Sequence, residues 1–147
     1  MARTRLFTVA PDLEAALAAA PTDQRRNAAW AAVRRALEQV GLSHPAITEA
    51  LATGLVGGVG TLVAELDERC FEVQELNELG ESTGEDVLMA FSLARAAGAV
   101  EFAARGEFVE AIYESGIAVD DWPGLQGNRT LIGDKTEEDS FEDIGGE

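Results

Sequence analysis

The sequence predicts an all-α protein, a compact bundle of five or six helices with an acidic, largely irregular C-terminal tail. Three observations support this fold class. Apolar residues recur every three or four positions, the spacing that places them on one face of a helix. Alanine, the best helix former, supplies much of the 46% hydrophobic content. Glycine and proline interrupt the chain at intervals that suit helix ends.

Two helices are predicted in the first 40 residues. The first begins at Pro11 and is stopped by Pro21, because proline cannot continue a helix. Thr22 is the expected N-cap of the second, which runs to about Val40 and ends at Gly41. Its apolar face consists of Trp30, Val33, Leu37 and Val40.

A third helix and a glycine-rich connector follow. Ser43 is the expected cap, Pro45 fits the first turn, and the helix ends near Thr53. The connector contains Gly54, Gly57, Gly58 and Gly60. It does not form a phosphate-binding loop, since no strand precedes it and no Gly-Lys-Ser/Thr follows it. We interpret it as a turn between helices.

The fourth helix, from Thr61 to Leu79, has two distinct faces. The apolar face is formed by Leu62, Val63, Leu66, Cys70, Val73 and Leu76. A second face carries glutamates at positions i, i+3, i+7 and i+10, namely Glu65, Glu68, Glu72 and Glu75. Charges repeated on one helix face indicate solvent exposure, so we predict a solvated acidic face that contacts a partner.

The fifth helix is predicted to begin with a capping box at Ser82 and to run to about Arg105. Its predicted core face is Val87, Leu88, Phe91, Ala94, Gly98 and Phe102. Ala94 and Gly98 are small enough to let a neighbouring helix come very close. Gly106 ends this helix, and a sixth extends from about Glu107 to Val119.

The short turn between the fourth and fifth helices requires them to pack as an antiparallel hairpin, which we place at the centre of the fold. The expected core residues are Trp30, Leu37, Leu66, Val73, Phe91 and Phe102. Residues 1–121 form the helical domain and residues 122–147 the acidic tail. Apolar residues recur in that tail, so it is also a candidate docking peptide with Leu131, Ile132, Phe141 and Ile144 as its contact residues.

Charge is divided unevenly along the chain. Residues 1–40 carry a net charge of +2 and residues 41–147 carry −18, which together give −16. Such an acidic surface opposes binding to nucleic acid and anionic membranes and favours a basic protein partner. The arginines of the second helix, Arg25, Arg26, Arg34 and Arg35, are expected to pair with nearby acidic residues within the molecule or to contact the acidic tail.

Catalytic side chains are scarce, because the chain has one histidine and one cysteine. His44 occupies an ordinary position at a helix start, and Cys70 lies on an apolar face. No set of four Cys/His ligands exists for zinc. We therefore predict no enzymatic activity, no cofactor and no metal site. One alternative stays open, a Mg²⁺-dependent helical hydrolase built on Glu pairs three residues apart, such as Glu72 with Glu75.

The favoured functional hypothesis is a non-enzymatic acidic binding protein, an immunity- or antitoxin-type inhibitor of a basic effector such as a nuclease. An inhibitor of this kind has to cover a positively charged site, which an acidic helix face and an acidic tail suit. The alternative is an assembly or cargo component, a phage or particle protein that docks through its C-terminal tail. The lone cysteine and the absence of a signal-peptide pattern favour a cytoplasmic protein, and the Ala- and Arg-rich composition favours a bacterial one.

Overall fold

The computed structural model describes Leu6 and residues 9–119 and confirms the all-α fold. Within this part of the chain there are six helices and no strand. The helices are α1 (Pro11–Ala19), α2 (Thr22–Val40), α3 (Pro45–Thr53), α4 (Val59–Glu78), α5 (Gly84–Ala104) and α6 (Phe108–Val119). All twelve helix ends lie within two residues of the expected positions. The predicted domain boundary at residues 121 and 122 lies outside the described residues.

Prolines and glycines mark the helix ends as expected. Pro11 and Pro45 lie in the first turns of α1 and α3. Proline is tolerated there because backbone N–H groups in the first turn make no hydrogen bond within the helix. Gly41 and Gly54 follow α2 and α3 with φ of +74°. This left-handed conformation ends a helix and is easiest for glycine, which has no Cβ.

Three predicted N-caps were wrong by one residue. Thr22 is the first residue of α2 and makes no cap hydrogen bond. His44, not Ser43, caps α3, because its Nδ1 accepts the backbone N–H two residues later at 3.0 Å. Thr83, not Ser82, caps α5. His44 therefore has a structural role at a helix terminus.

The central helix of the fold is α5. It packs against α2, α4 and α6, whereas the main contact of α4 is with α5. The antiparallel α4–α5 hairpin is confirmed, but only its second helix is central. Most of its C-terminal half is buried because most residues there are small. The buried residues of the whole helix are Ala90, Ala94, Ala96, Ala97, Gly98, Ala99, Val100 and Ala103.

The main core lies between α1, α2, α3, α6, the start of α4 and the C-terminal half of α5. Leu37 and Val73 are buried, as predicted. Three other predicted core residues, Trp30, Leu66 and Phe102, are partly buried and pack against the edge of the main core. Leu6, Leu13 and Leu17 are fully buried and fasten the N-terminal region to the bundle.

The assignment of Phe91 and Leu88 to the core was wrong. Their exposed fractions are 38% and 67%. The reason is a difference in length, since α6 has 12 residues and α5 has 21. Because α6 runs antiparallel to α5 from Gly106, it reaches only part of the way along its neighbour. The first turns of α5 therefore extend past the end of α6.

By length and apolar composition alone, α5 is the one helix in the described part of the chain that could cross a membrane. This is weak support for a span, because the core helix of a soluble protein meets the same criteria. In this structure α5 is the helix around which the others pack.

Gly98 is buried in the middle of α5, yet it is not forced to be glycine by a close neighbour. A Cβ atom at this position meets no heavy atom within 4 Å. The expected very close helix approach at Gly98 is therefore not observed. We expect Gly98→Ala to raise the free energy of unfolding by about 0.5–1 kcal/mol, because glycine costs conformational entropy inside a helix. Urea unfolding followed by circular dichroism measures this change.

Gly54→Ala is the matched control for this substitution. It adds the same methyl group in open space but at a φ of +74°, which an L side chain rarely adopts. We expect it to lower the free energy of unfolding. If Gly98→Ala also destabilises the protein, the core around α5 is tighter than the structure shows.

Candidate binding surface

The end of the α4–α5 hairpin has a small core of its own. We call residues 70–90 the hairpin tip. Cys70, Val73 and Ala90 are buried there, with Val87 packed against them, and they are separate from the main core. Burial of Cys70 confirms the prediction that this thiol is a packing residue. With so small an interior, the tip presents most of its side chains to solvent.

The turn of the hairpin is held by local hydrogen bonds. The Ser82 hydroxyl donates to the backbone carbonyl of Val73 at 2.9 Å, which ties the turn back to α4. Thr83 Oγ1 accepts the Asp86 backbone N–H at 3.0 Å, and Asp86 Oδ2 accepts the Thr83 backbone N–H at 3.1 Å. This reciprocal capping box satisfies two donors at the start of α5 and fixes where the second helix begins.

The acidic face of α4 consists of Glu65, Glu68, Glu72 and Glu75, and all four are exposed, as the spacing predicts. Arg69 pairs with Glu72 at 3.7 Å, but both side chains are more than half exposed. Exposed pairs of this kind contribute little free energy. Within the described residues, the other three glutamates have no ion-pair partner. The face therefore keeps most of its negative charge.

Two large apolar side chains lie on the solvent side of α4 beside these glutamates. Phe71 is 65% exposed and Leu79 is 71% exposed. They stand four residues before and four residues after Glu75, so all three are neighbours along the helix surface. Phe71 immediately follows the buried Cys70 but points about 100° away from it around the helix axis. Helical spacing indicates this outward direction, although the sequence analysis did not single out either residue.

A groove of about 410 Å³ runs between α4 and α5 at the tip. Leu66, Leu76 and Met89 contribute apolar surface to it, and Glu81 contributes charge at the turn. Arg69 also lines the groove and pairs with Glu72, so the groove borders the acidic face. The hairpin thus places negative charge, exposed apolar side chains and a concave surface on one continuous region.

One guanidinium links α4 to two other helices of the bundle. Arg95 of α5 donates from Nη2 to Asp67 of α4 at 2.9 Å and from Nη1 to Glu114 of α6 at 3.2 Å. The side chain of Glu114 is only 3% exposed, so Arg95 supplies positive charge to a buried carboxylate. The Arg95 guanidinium also lies 5.8 Å from the centre of the Phe91 ring. Three helices are therefore linked through Arg95.

The arginines of α2 are used partly within the molecule, through groups other than carboxylates. Arg25 Nη1 donates to the backbone carbonyls of Ala20 at 2.8 Å and Leu17 at 3.2 Å, which caps the C-terminal end of α1. The guanidinium of Arg26 lies 5.6 Å from the centre of the Phe108 ring at the start of α6. These two residues are used within the molecule, but the predicted acidic partners were wrong for them, since their partners are a helix end and an aromatic ring.

Four of the predicted partner-binding residues cannot be placed on this surface. Leu131, Ile132, Phe141 and Ile144 lie outside the described residues. In the part of the chain that the structure describes, no group of three or more His, Cys, Asp or Glu side chains is arranged to hold a metal ion. The glutamates of α4 that could have formed such a group point towards solvent.

No family model, curated protein sequence or solved structure matches this chain. Function has to be inferred from the hairpin surface itself.

We expect Arg95→Met to lower the free energy of unfolding by about 3–5 kcal/mol, because it removes a cationic partner from the buried Glu114 carboxylate. Urea unfolding measures the loss. Replacing both residues, as in Arg95→Met with Glu114→Met, should recover part of it, since the buried carboxylate is then removed as well.

Arg105→Met is the matched control, because it removes the same side chain from an exposed pair on the same helix. Arg105 lies 2.7 Å from Glu101 four residues earlier, and its side chain is 53% exposed. We expect a loss of about 0.5 kcal/mol or less. Equal losses for the two arginines would show that Arg95 has no special role in holding the helices together.

Proposed function

We propose that this chain is a non-enzymatic acidic binding protein, an immunity- or antitoxin-type inhibitor of a basic effector such as a nuclease. The observation that carries the proposal is the α4 surface, where exposed glutamates surround the exposed Phe71. The lone cysteine, which allows no disulfide within the chain, suits a cytoplasmic location for such an inhibitor.

Electrostatics supports a basic partner. Glu65 and Glu75 are ten residues apart on α4, so the acidic face is about 15 Å long. A row of negative charge on a chain with a net charge of −16 attracts a positively charged site and repels nucleic acid. Nucleic-acid-binding effectors carry such sites, because they neutralise phosphates. The acidic face would occupy the surface that the effector uses for its substrate.

Exposed apolar side chains would keep the complex from dissociating, which charge alone does less well. Steering by charge raises the association rate, whereas a desolvated aromatic or aliphatic side chain keeps the complex together. Phe71 and Leu79 are available for this purpose on the same helix surface as the glutamates. An interface with apolar contacts at its centre and charges around them is typical of specific protein complexes.

The charge prediction is tested on a partner captured with the full-length protein from its native host. The variant replaces Glu68, Glu72 and Glu75 by Gln. We expect its association rate to fall about tenfold or more at low salt, with a weaker dependence on salt concentration, because steering charges are lost. Surface plasmon resonance at two salt concentrations measures both quantities.

A charge-matched control removes three exposed glutamates elsewhere, Glu38, Glu49 and Glu107, again by replacement with Gln. Its net charge equals that of the α4 variant, so a purely global effect would slow both proteins alike. Equal association rates for the two variants would contradict the assignment of the binding surface to α4. Capture of nucleic acid, or of an acidic protein alone, would contradict the proposed function.

A second prediction concerns Phe71. We expect Phe71→Ala to increase the dissociation rate of the same complex by about 30-fold, the effect of losing about 2 kcal/mol at an interface anchor. The association rate should change little, because no charge is altered.

Leu55→Ala is the control for Phe71→Ala. Leu55 is 66% exposed, close to the 65% of Phe71, but it lies in the connector after α3. Dissociation rates that rise equally in both variants would indicate a general effect of surface apolar residues and would exclude Phe71 as the anchor.

A further inference from the structure

The first turns of α5 carry an apolar surface that the bundle leaves uncovered. Leu88 is 67% exposed and Met89 is 53% exposed. Exposed apolar side chains clustered in this way mark interaction sites more often than exposed single residues do. This surface lies on the other helix of the hairpin from the acidic face, and Met89 is the residue that it shares with the groove between α4 and α5.

A second groove, of about 300 Å³, lies beside these two residues. Leu88 and Met89 line it from α5, Val40 lines it from the end of α2, and Val119 lines it from the end of α6. The groove is therefore formed where three helix ends meet. One of its walls is the last residue before the chain continues into residues 120–147.

The described chain ends at this groove. Because α6 runs antiparallel to α5 and is nine residues shorter, it ends beside the first turns of α5, and its last residue, Val119, lines the groove. Trp122 follows three residues later, so its backbone can reach about 10 Å from Val119. Leu125 comes three residues after that. These are the first large apolar residues past the end of α6.

We propose that the chain's own C-terminal segment, residues 120–147, closes this groove, with Trp122 as the residue that covers Leu88 and Met89. Val40, Leu88, Met89 and Val119 give the groove apolar surface, and Gln39, Glu85 and Ser92 give it polar groups. A tryptophan suits such a lining, because it buries about 150–250 Å² of surface and carries one N–H donor. A segment joined directly to the groove has a high effective concentration there, which a second copy or a separate protein lacks. The proposal does not depend on the proposed function, because it leaves the acidic face of α4 uncovered.

The fluorescence of Trp122 in the full-length protein tests this proposal. Trp30 is the only other tryptophan, so Trp30→Phe makes Trp122 the single reporter. In the purified variant we expect blue-shifted emission and an acrylamide quenching constant several-fold lower than in the same chain unfolded by urea. If Trp30→Phe does not fold, subtracting the spectrum of Trp122→Phe from that of the natural chain isolates the same signal.

Two substitutions with matched exposure locate the contact. Leu88→Glu places a charge in the groove, and we expect it to raise the Trp122 quenching constant towards the unfolded value. Leu79→Glu makes the same change at a residue with 71% exposure on the opposite side of the hairpin turn, and we expect no change in quenching. Equal quenching in the two variants would overturn the assignment of this groove.

Two other outcomes would also overturn the proposal. Full exposure of Trp122 in the natural protein would show that its own segment does not cover the groove, which would leave it to a separate partner. Protection that disappears on dilution, together with a dimer in sedimentation, would assign the groove to a second copy of the chain.

Discussion

The fold depends on the small side chains of α5. A helix that packs against three neighbours has to be apolar around its whole circumference, and the distance of each neighbour is set by the side chains between them. The alanines from Ala94 to Ala103 meet both conditions in the C-terminal half of α5. Arg95 and Glu101 are the charged residues within that half. Carboxylates of α4 and α6 meet the charge of Arg95 on either side, and Arg105 pairs with Glu101. Arg95 thus connects the central helix to two of its neighbours.

The surface charge follows from how the fold uses its arginines. Arg25 caps α1, Arg26 lies over an aromatic ring, and Arg95 joins three helices. Arg105 pairs along its own helix. Few cations remain to neutralise α4, whose glutamates face away from the bundle. The acidic face therefore depends on where the fold places its arginines as well as on the number of acidic residues. Amino-acid composition alone does not show which acidic residues stay unpaired.

Helical spacing predicted where the helices lie, but it did not predict which of their side chains are covered by a neighbouring helix. It placed six helices and identified both faces of α4, because the period of the apolar residues depends only on local geometry. It missed Phe91 and Leu88, since spacing tells which way a side chain points but not whether a neighbour extends far enough to cover it. The caps at Ser43 and Ser82 were wrong for a related reason. Adjacent residues there can both cap a helix, and the backbone angles decide between them. The exposure of Phe71 was readable from the same spacing, but its meaning depends on the surrounding glutamates remaining unneutralised.

The hairpin tip combines a small core with side chains that are mostly exposed. Only Cys70, Val73 and Ala90 are buried there, so the tip depends on its turn hydrogen bonds and on the attachment of α4 and α5 to the rest of the bundle. Elements with few buried contacts open at lower free energy than the main core does. A partner that covers Phe71 and the groove would enlarge this core and stabilise the tip, because a ligand of the folded state always adds to its stability. Binding would therefore add more stability to the hairpin tip, which has few buried contacts, than to the well-packed helices α2 and α6. This supports the α4–α5 hairpin as the contact region.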